Sequence, residues 1–163
     1  MPDLKTQLQL IQQKIQSKIA DAMNNEVADV VRKVEQEAIQ EEVFDKYPNP
    51  VEYIRRSVGG LDDPNNMVAN TQLQADGSVL LTVENITMSN PNYLPEGKEP
   101  FKIAGVIEYG HGWNGYGYDY PRKGAPYMKG RPFIRSTAEQ LKNNPEIVKA
   151  FKKGLRRNGL NVK

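Results

Sequence analysis

His111 is the only histidine in the chain, and there is no cysteine. Any metal, nucleophile or proton-transfer site therefore has one imidazole to draw on, and disulfides, thiolate nucleophiles and cysteine zinc sites are excluded together. Glu108, His111 and Asp119 could in principle gather round a metal, but one histidine with two carboxylates eleven residues apart is a weak ligand pattern, and a polar loop histidine is the better reading. The same stretch, EYGHGWNGYGYDYP, contains G-x-G-x-x-G at Gly110, Gly112 and Gly115. That spacing binds a dinucleotide only where the glycine turn opens a helix inside a βαβ unit, with an acidic residue about 20 positions on. Here the turn leads into GYGYDYPRKGAP, whose glycines and prolines exclude a helix, and Arg135 stands where the ribose-binding carboxylate belongs. Neither GK[ST] nor G-x-S-x-G occurs. The expectation is a protein without cofactor, metal or catalytic residues, and not an enzyme.

What remains of that stretch is aromatic and flexible. In an extended GYGYDY the side chains of Tyr116, Tyr118 and Tyr120 fall on one face, next to Trp113, while Gly115, Gly117 and Gly124 permit tight bends. Tyr and Trp give large contact area at low entropy cost, so the segment suits a contact surface. Folding back on its own sheet is the alternative. Arg55-Arg56 and Arg131-Pro132-Phe133-Ile134-Arg135 place guanidinium groups beside apolar anchors, as interfaces that pair with carboxylates do, although solvated arginines would look the same.

A net charge of +2 hides an uneven distribution. Residues 1–47 sum to −3, residues 48–121 to −5 and residues 122–163 to +10. The basic C-terminal quarter, with Lys152, Lys153, Arg156 and Arg157, fits DNA or a channel lumen, or equally acidic faces of other copies of the chain.

The elements that must hold these groups are legible in the patterning. Residues 3–45 contain neither Gly nor Pro, and Leu4, Leu8, Ile11, Ile15, Ile19, Met23, Val27, Val30, Val34, Ala38 and Val43 step mostly by three and four. A helix of that length would reach roughly 60 Å, longer than a domain of this size is wide. Either Asn24-Asn25 breaks it, or part of it projects towards another subunit. YPNP at 47–50 stops it. MVANTQL and VLLTVENIT around Asp76-Gly77 read as an antiparallel hairpin. FKIAGVIEY is too short to assign between strand and helix. Asn144-Pro145-Glu146 caps a last helix with Ile147, Val148, Phe151 and Leu155 on one side and Gly159 at its end. Asp62-Asp63 suit a turn and an N-cap. The reading is one α+β domain over 1–163: a helical region 1–46, sheet and loops 47–135, and a C-terminal helical region 136–159. No apolar run approaches the roughly 18 residues that span a bilayer, and the N-terminus lacks a signal-peptide layout, so the expected compartment is the cytoplasm and no membrane contact is expected.

VIEYGHG followed, after the Gly/Tyr interval, by RPFIRSTAEQLKNNPEIVKAFKKGL resembles the Glu-aromatic-Gly and Arg-Pro-Phe signatures of the tailed-bacteriophage tail-component family. YPNPVEYIRRSVGGLDDPNNM resembles a variant of it with Tyr-x-Arg-Arg and Gly-Gly-Leu-x-Asp segments. The resemblance covers about residues 44–157 and implies a structural virion protein, an α+β subunit of a neck ring assembled in the host cytoplasm. Its implied partners are further copies of itself, as a hexamer or dodecamer, a portal-side connector or stopper, and a tail tube or tail terminator protein, with non-specific DNA contact. A tail terminator or minor tail component is the alternative, and a nucleic-acid-binding protein using the basic C-terminus is the alternative of another class. The expected interface residues are Trp113, Tyr116, Tyr118, Tyr120, Glu108, Arg131, Phe133, Arg135, Arg55 and Arg56; those facing DNA or a channel are Lys152, Lys153, Arg156 and Arg157.

Overall fold

A computed structural model describes residues 3–46, 48, 55–56, 58–94, 96–110 and 130–162. It is an α+β subunit built along one helical spine. The spine comprises α1 (Leu4–Ala22), a π-helical segment (Met23–Val27), α2 (Ala28–Ile39) and a second π-helical segment (Gln40–Phe44). Asp3 starts it, its carboxylate accepting from the Thr6 amide at 2.8 Å, and it ends just ahead of YPNP. Asn24-Asn25 does not break the spine. The Asn25 side-chain amide donates to the Asp21 carbonyl at 2.8 Å and to the Asp21 carboxylate at 3.0 Å. Asn competes for helix acceptors in this way, and the chain answers by widening one turn rather than ending.

On the spine sits a hairpin, β1 (Met67–Leu73) with β2 (Val79–Asn85), paired antiparallel from Met67↔Asn85 to Leu73↔Val79. Its three-residue loop turns at Gly77, whose φ of 86° only glycine adopts without strain. Residues alternate in burial along both strands, so Met67, Ala69, Val83 and Asn85 face inward while Val68 and Leu80 face out. Polar side chains of the spine grip this layer by its backbone. Gln16 donates to the Gly77 carbonyl at 3.3 Å, Arg32 to the Met67 carbonyl at 2.9 Å and Gln36 to the Asp62 carbonyl at 2.8 Å.

The run FKIAGVIEY divides. Its start pairs with residues 87–89, the Met88↔Lys102 bridge lying between two backbone hydrogen bonds, and its end forms α3 (Ala104–Tyr109). Helix α4 (Phe133–Leu141) begins at Phe133, so the C-terminal helical region starts earlier than the expected residue 136. A single residue at positive φ, Asn143, turns the chain into α5 (Pro145–Arg157), where Asn144 caps, Pro145 opens and Gly159, at φ +74°, closes the helix as its residue types require. The core lies against the C-terminal half of the spine: Ala38, Ile39, Val43, Leu61, Met67, Ala104 and Phe133, flanked by Phe44, Val83, Ile103 and Ile107.

Helix α5 crosses the spine at closest range. A Cβ placed on Gly154 would lie 2.6 Å from the Ala22 Cβ and 2.9 Å from the Ala22 Cα, and Ala22 is fully buried there. Gly154→Ala should therefore lower stability by about 1–2 kcal/mol in chemical denaturation, the overpacking outweighing alanine's better helix propensity. A variant as stable as the parent would mean that the two helices sit further apart.

Candidate functional site

The expected interface residues divide into three groups. Trp113, Tyr116, Tyr118 and Tyr120, with His111 and Asp119, lie outside the described residues. The described ends of that stretch meet: a Cβ on Gly130 would come within 2.7 Å of the Glu108 carbonyl oxygen and 2.8 Å of the Tyr109 carbonyl carbon, and the Arg131 amide donates to the Ile107 carbonyl at 2.8 Å. Residues 110 and 130 are thus held at one point on the subunit.

The second group surrounds the core. Glu108 is buried, and its carboxylate accepts from the amides of Ile134 at 2.8 Å and Arg135 at 3.3 Å. Helix α4 opens with Pro132, which has no side chain to cap it, and Glu108 supplies the acceptor from α3 instead. Phe133 is completely buried in the core. The Glu-aromatic-Gly and Arg-Pro-Phe signatures therefore meet in space, one capping the helix that the other begins. With their side chains enclosed within the subunit, Glu108 and Phe133 have little or no surface to offer a neighbour. Arg55 donates to the Phe44 carbonyl at 2.9 Å and stacks over the Phe44 ring at 4.4 Å, and Arg56 donates to the Met88 carbonyl at 2.5 Å. Arg131 is half-buried, and Arg135 is exposed, as is Tyr109 beside Glu108.

Next to this group lies a buried polar network. Asn85 donates to the Glu35 carboxylate at 2.9 Å and to the Leu61 carbonyl at 2.8 Å, while Thr87 donates to the Asn85 side-chain oxygen at 2.6 Å. The Gly60 carbonyl accepts from Asn66 at 2.9 Å. Gly60 admits no side chain, since a Cβ there would lie 2.1 Å from the Arg56 carbonyl oxygen. Asp63 holds the turn, accepting from the amides of Gly59 at 2.7 Å and Asn65 at 2.9 Å, and these bonds keep its carboxyl below the usual range. Burial pushes Glu35 the other way, opposed by the Asn85 hydrogen bond.

The third group is the basic C-terminus. Arg157 turns back onto the spine, pairing with Asp21 and, at 2.6 Å, with Glu26. The Asn158 amide reaches Asp21 at 2.8 Å. The Asn158 bond, with Arg157 adding to it, holds the Asp21 carboxyl low, and the Arg157 bond does the same for Glu26. Arg156 donates to the Val162 carbonyl at 3.1 Å. Lys152 is half-buried, and Lys153 and Arg156 lie exposed on the polar side of α5.

An exposed apolar feature lies at the opposite end of the spine from the core. Leu4, Leu8, Ile11 and Ile15 are 73%, 58%, 54% and 43% exposed. Every residue from 3 to 15 is exposed. On a helix these four form one stripe in steps of four, three and four, continuous with Ala22, the residue that α5 covers. Helix α5 runs antiparallel along that face, Gly154 opposite Ala22 and Asn158 donating to the Lys18 carbonyl at 3.4 Å, and ends there. Among the described residues no group of three or more His, Cys, Asp or Glu is placed to hold a metal, and no helix is long and apolar enough to cross a membrane.

A family model described as YomN matches residues 7–157. No curated protein and no solved structure matches the chain.

Two outcomes follow from these contacts. A carboxyl whose folded pKa is raised favours folding below its unfolded value near 4.5, and that contribution is lost as pH rises through the folded value. The stability of the parent minus that of Glu35→Gln should therefore fall as pH rises from about 4.5 towards neutrality, whatever constant offset the substitution adds; a flat difference would mean that Glu35 titrates normally. Arg157→Ala should lower the unfolding midpoint while leaving duplex-DNA affinity unchanged, measured by fluorescence anisotropy at low salt. A fall in affinity with unchanged stability would assign Arg157 to nucleic acid.

Proposed function

The chain belongs to the YomN family, a phage-derived family, and from that premise we propose that it is a structural virion protein, a subunit of a neck ring that joins the head connector to the tail tube and lets DNA pass. The observation that supports a structural role is the uncovered stripe of Leu4, Leu8, Ile11 and Ile15 on a helix that outruns its own subunit. Continuous apolar surface of this kind is characteristic of a chain that completes itself against other chains.

In this reading the subunits close a ring, of hexamer or dodecamer size, through two different surfaces of each copy. The charge distribution suits such docking. Glu37, Glu41 and Asp45 are exposed towards the C-terminal end of the spine, whereas Lys5 and Lys14 on α1 and Lys153 and Arg156 on α5 are exposed towards the other. Residues 110 and 130, the described ends of the stretch containing Trp113, Tyr116, Tyr118 and Tyr120, meet beside exposed Tyr109 and Arg135, and the aromatic composition of that stretch suits it to contact a portal-side connector or stopper, or a tail tube or terminator protein. The protein acts without cofactor or catalytic step, in the virion neck or tail, after assembly in the host cytoplasm. A tail terminator or minor tail component would use the same surfaces. The exposed cations of α5 favour a second reading, non-specific DNA contact, which would show as affinity falling steeply with salt.

The test is a nonsense mutation of this gene in its phage, with electron microscopy of the lysate. DNA-filled heads and separate complete tails are expected. Joined, infectious particles would remove the protein from the neck.

A further inference from the structure

We infer that the uncovered half of α1 pairs with the same segment of a second copy, antiparallel and about a two-fold axis, in the free protein. The inference does not depend on the neck reading, because a two-fold contact cannot persist within a cyclic ring and describes the subunit before assembly.

The slot itself specifies the occupant. Helix α5 covers the spine's apolar face from Ala22 as far as Lys18 and stops, and beyond it Ile15, Ile11, Leu8 and Leu4 continue the same face uncovered. A helix suits the seat, since four residues spaced four, three and four make a knobs-into-holes seam. A parallel, in-register second copy would bring its own α5 into the space that the first α5 occupies. An antiparallel copy begins where α5 ends and runs in the same direction, which keeps it clear of α5.

The sequence is self-complementary in that direction. Setting Leu4 opposite Ile15 of the second copy sets Leu8 opposite its Ile11, and the two-fold axis repeats both layers, giving four layers that each join one leucine to one isoleucine. Beside the seam, Lys5 falls against Gln12 of the other copy and Lys14 against Gln7, so no two like charges meet. The helix is already anchored in the subunit through Ala22 and Asp21, which reduces the ordering cost of pairing. The seam is nevertheless short beside the roughly 800 Å² per partner of a standard interface, so the pair is weak and reversible.

The absence of native cysteine makes the test clean. Sedimentation of the full chain over a wide concentration range should show a reversible monomer–dimer equilibrium, and Leu8→Glu, at an exposed position, should remain folded and monomeric throughout. Oxidation of a mixture of Leu8→Cys and Ile11→Cys chains should give the mixed disulfide dimer at least tenfold more than either variant alone. A parent that is monomeric at every concentration, one that forms only larger closed assemblies, or efficient self-crosslinking of Leu8→Cys alone would each overturn the inference. The last would mean a parallel pair, and the first a different partner for the stripe.

Discussion

A helix of roughly 60 Å cannot be enclosed by a chain of this length, whose compact radius of gyration is roughly 15 Å. Everything else in the fold is arranged around that mismatch. The hairpin, α4 and α5 each cover part of the spine, the hairpin turn reaching Gln16 and Gln12, and they leave Leu4, Leu8, Ile11 and Ile15 exposed. The spine stays continuous because the Asn25 side chain is absorbed by a widened turn. That turn lies where α5 crosses, with Gly154 against Ala22 and Arg157 joined to Asp21 and Glu26. Without it the apolar stripe above and the core below would not share one continuous helix.

At the other end the residues that resemble a family signature hold the subunit together. Glu108 caps α4, Phe133 fills the core, and Gly60 offers a carbonyl to Asn66 at a point where a side chain would not fit. Such residues set the fold more than they meet a partner. Among the carboxylates buried there, Glu35 is costly to bury and is offset by the Asn85 amide. Surfaces left outside among the described residues include the stripe, the polar side of α5, the outer face of the hairpin at Val68, Leu73 and Leu80, and the region beside Tyr109 and Arg135.

The long helix, the hairpin with its Asp76-Gly77 turn and the capped last helix were legible because periodicity, turn chemistry and capping residues agree there. The run FKIAGVIEY was not, because its pairing with residues 87–89 and its helix depend on contacts distant in sequence. Apolar spacing revealed the stripe but not whether the spine was broken, since Asn24-Asn25 is compatible with either. Glu35 falls in the three-and-four series Ala28, Val31, Glu35 and Ile39, whose apolar members are buried or half-buried, and that position marked it as facing the interior. Glu108 stood out in the sequence as a signature residue and Arg157 as one of a basic cluster, but neither showed what it bonds within the subunit. Their partners, the α4 amides and the Asp21–Glu26 pair, are 26 and more than 130 positions away.

The central claim is that the spine is one helix whose first turns lack cover within the subunit. Amide hydrogen exchange in dilute solution addresses it directly. Residues 4–15 should exchange rapidly by fraying while residues 28–39 stay protected, and protection of 4–15 should rise with protein concentration. Equal protection of both segments in the dilute monomer would mean that the subunit covers its own stripe, and would contradict the account.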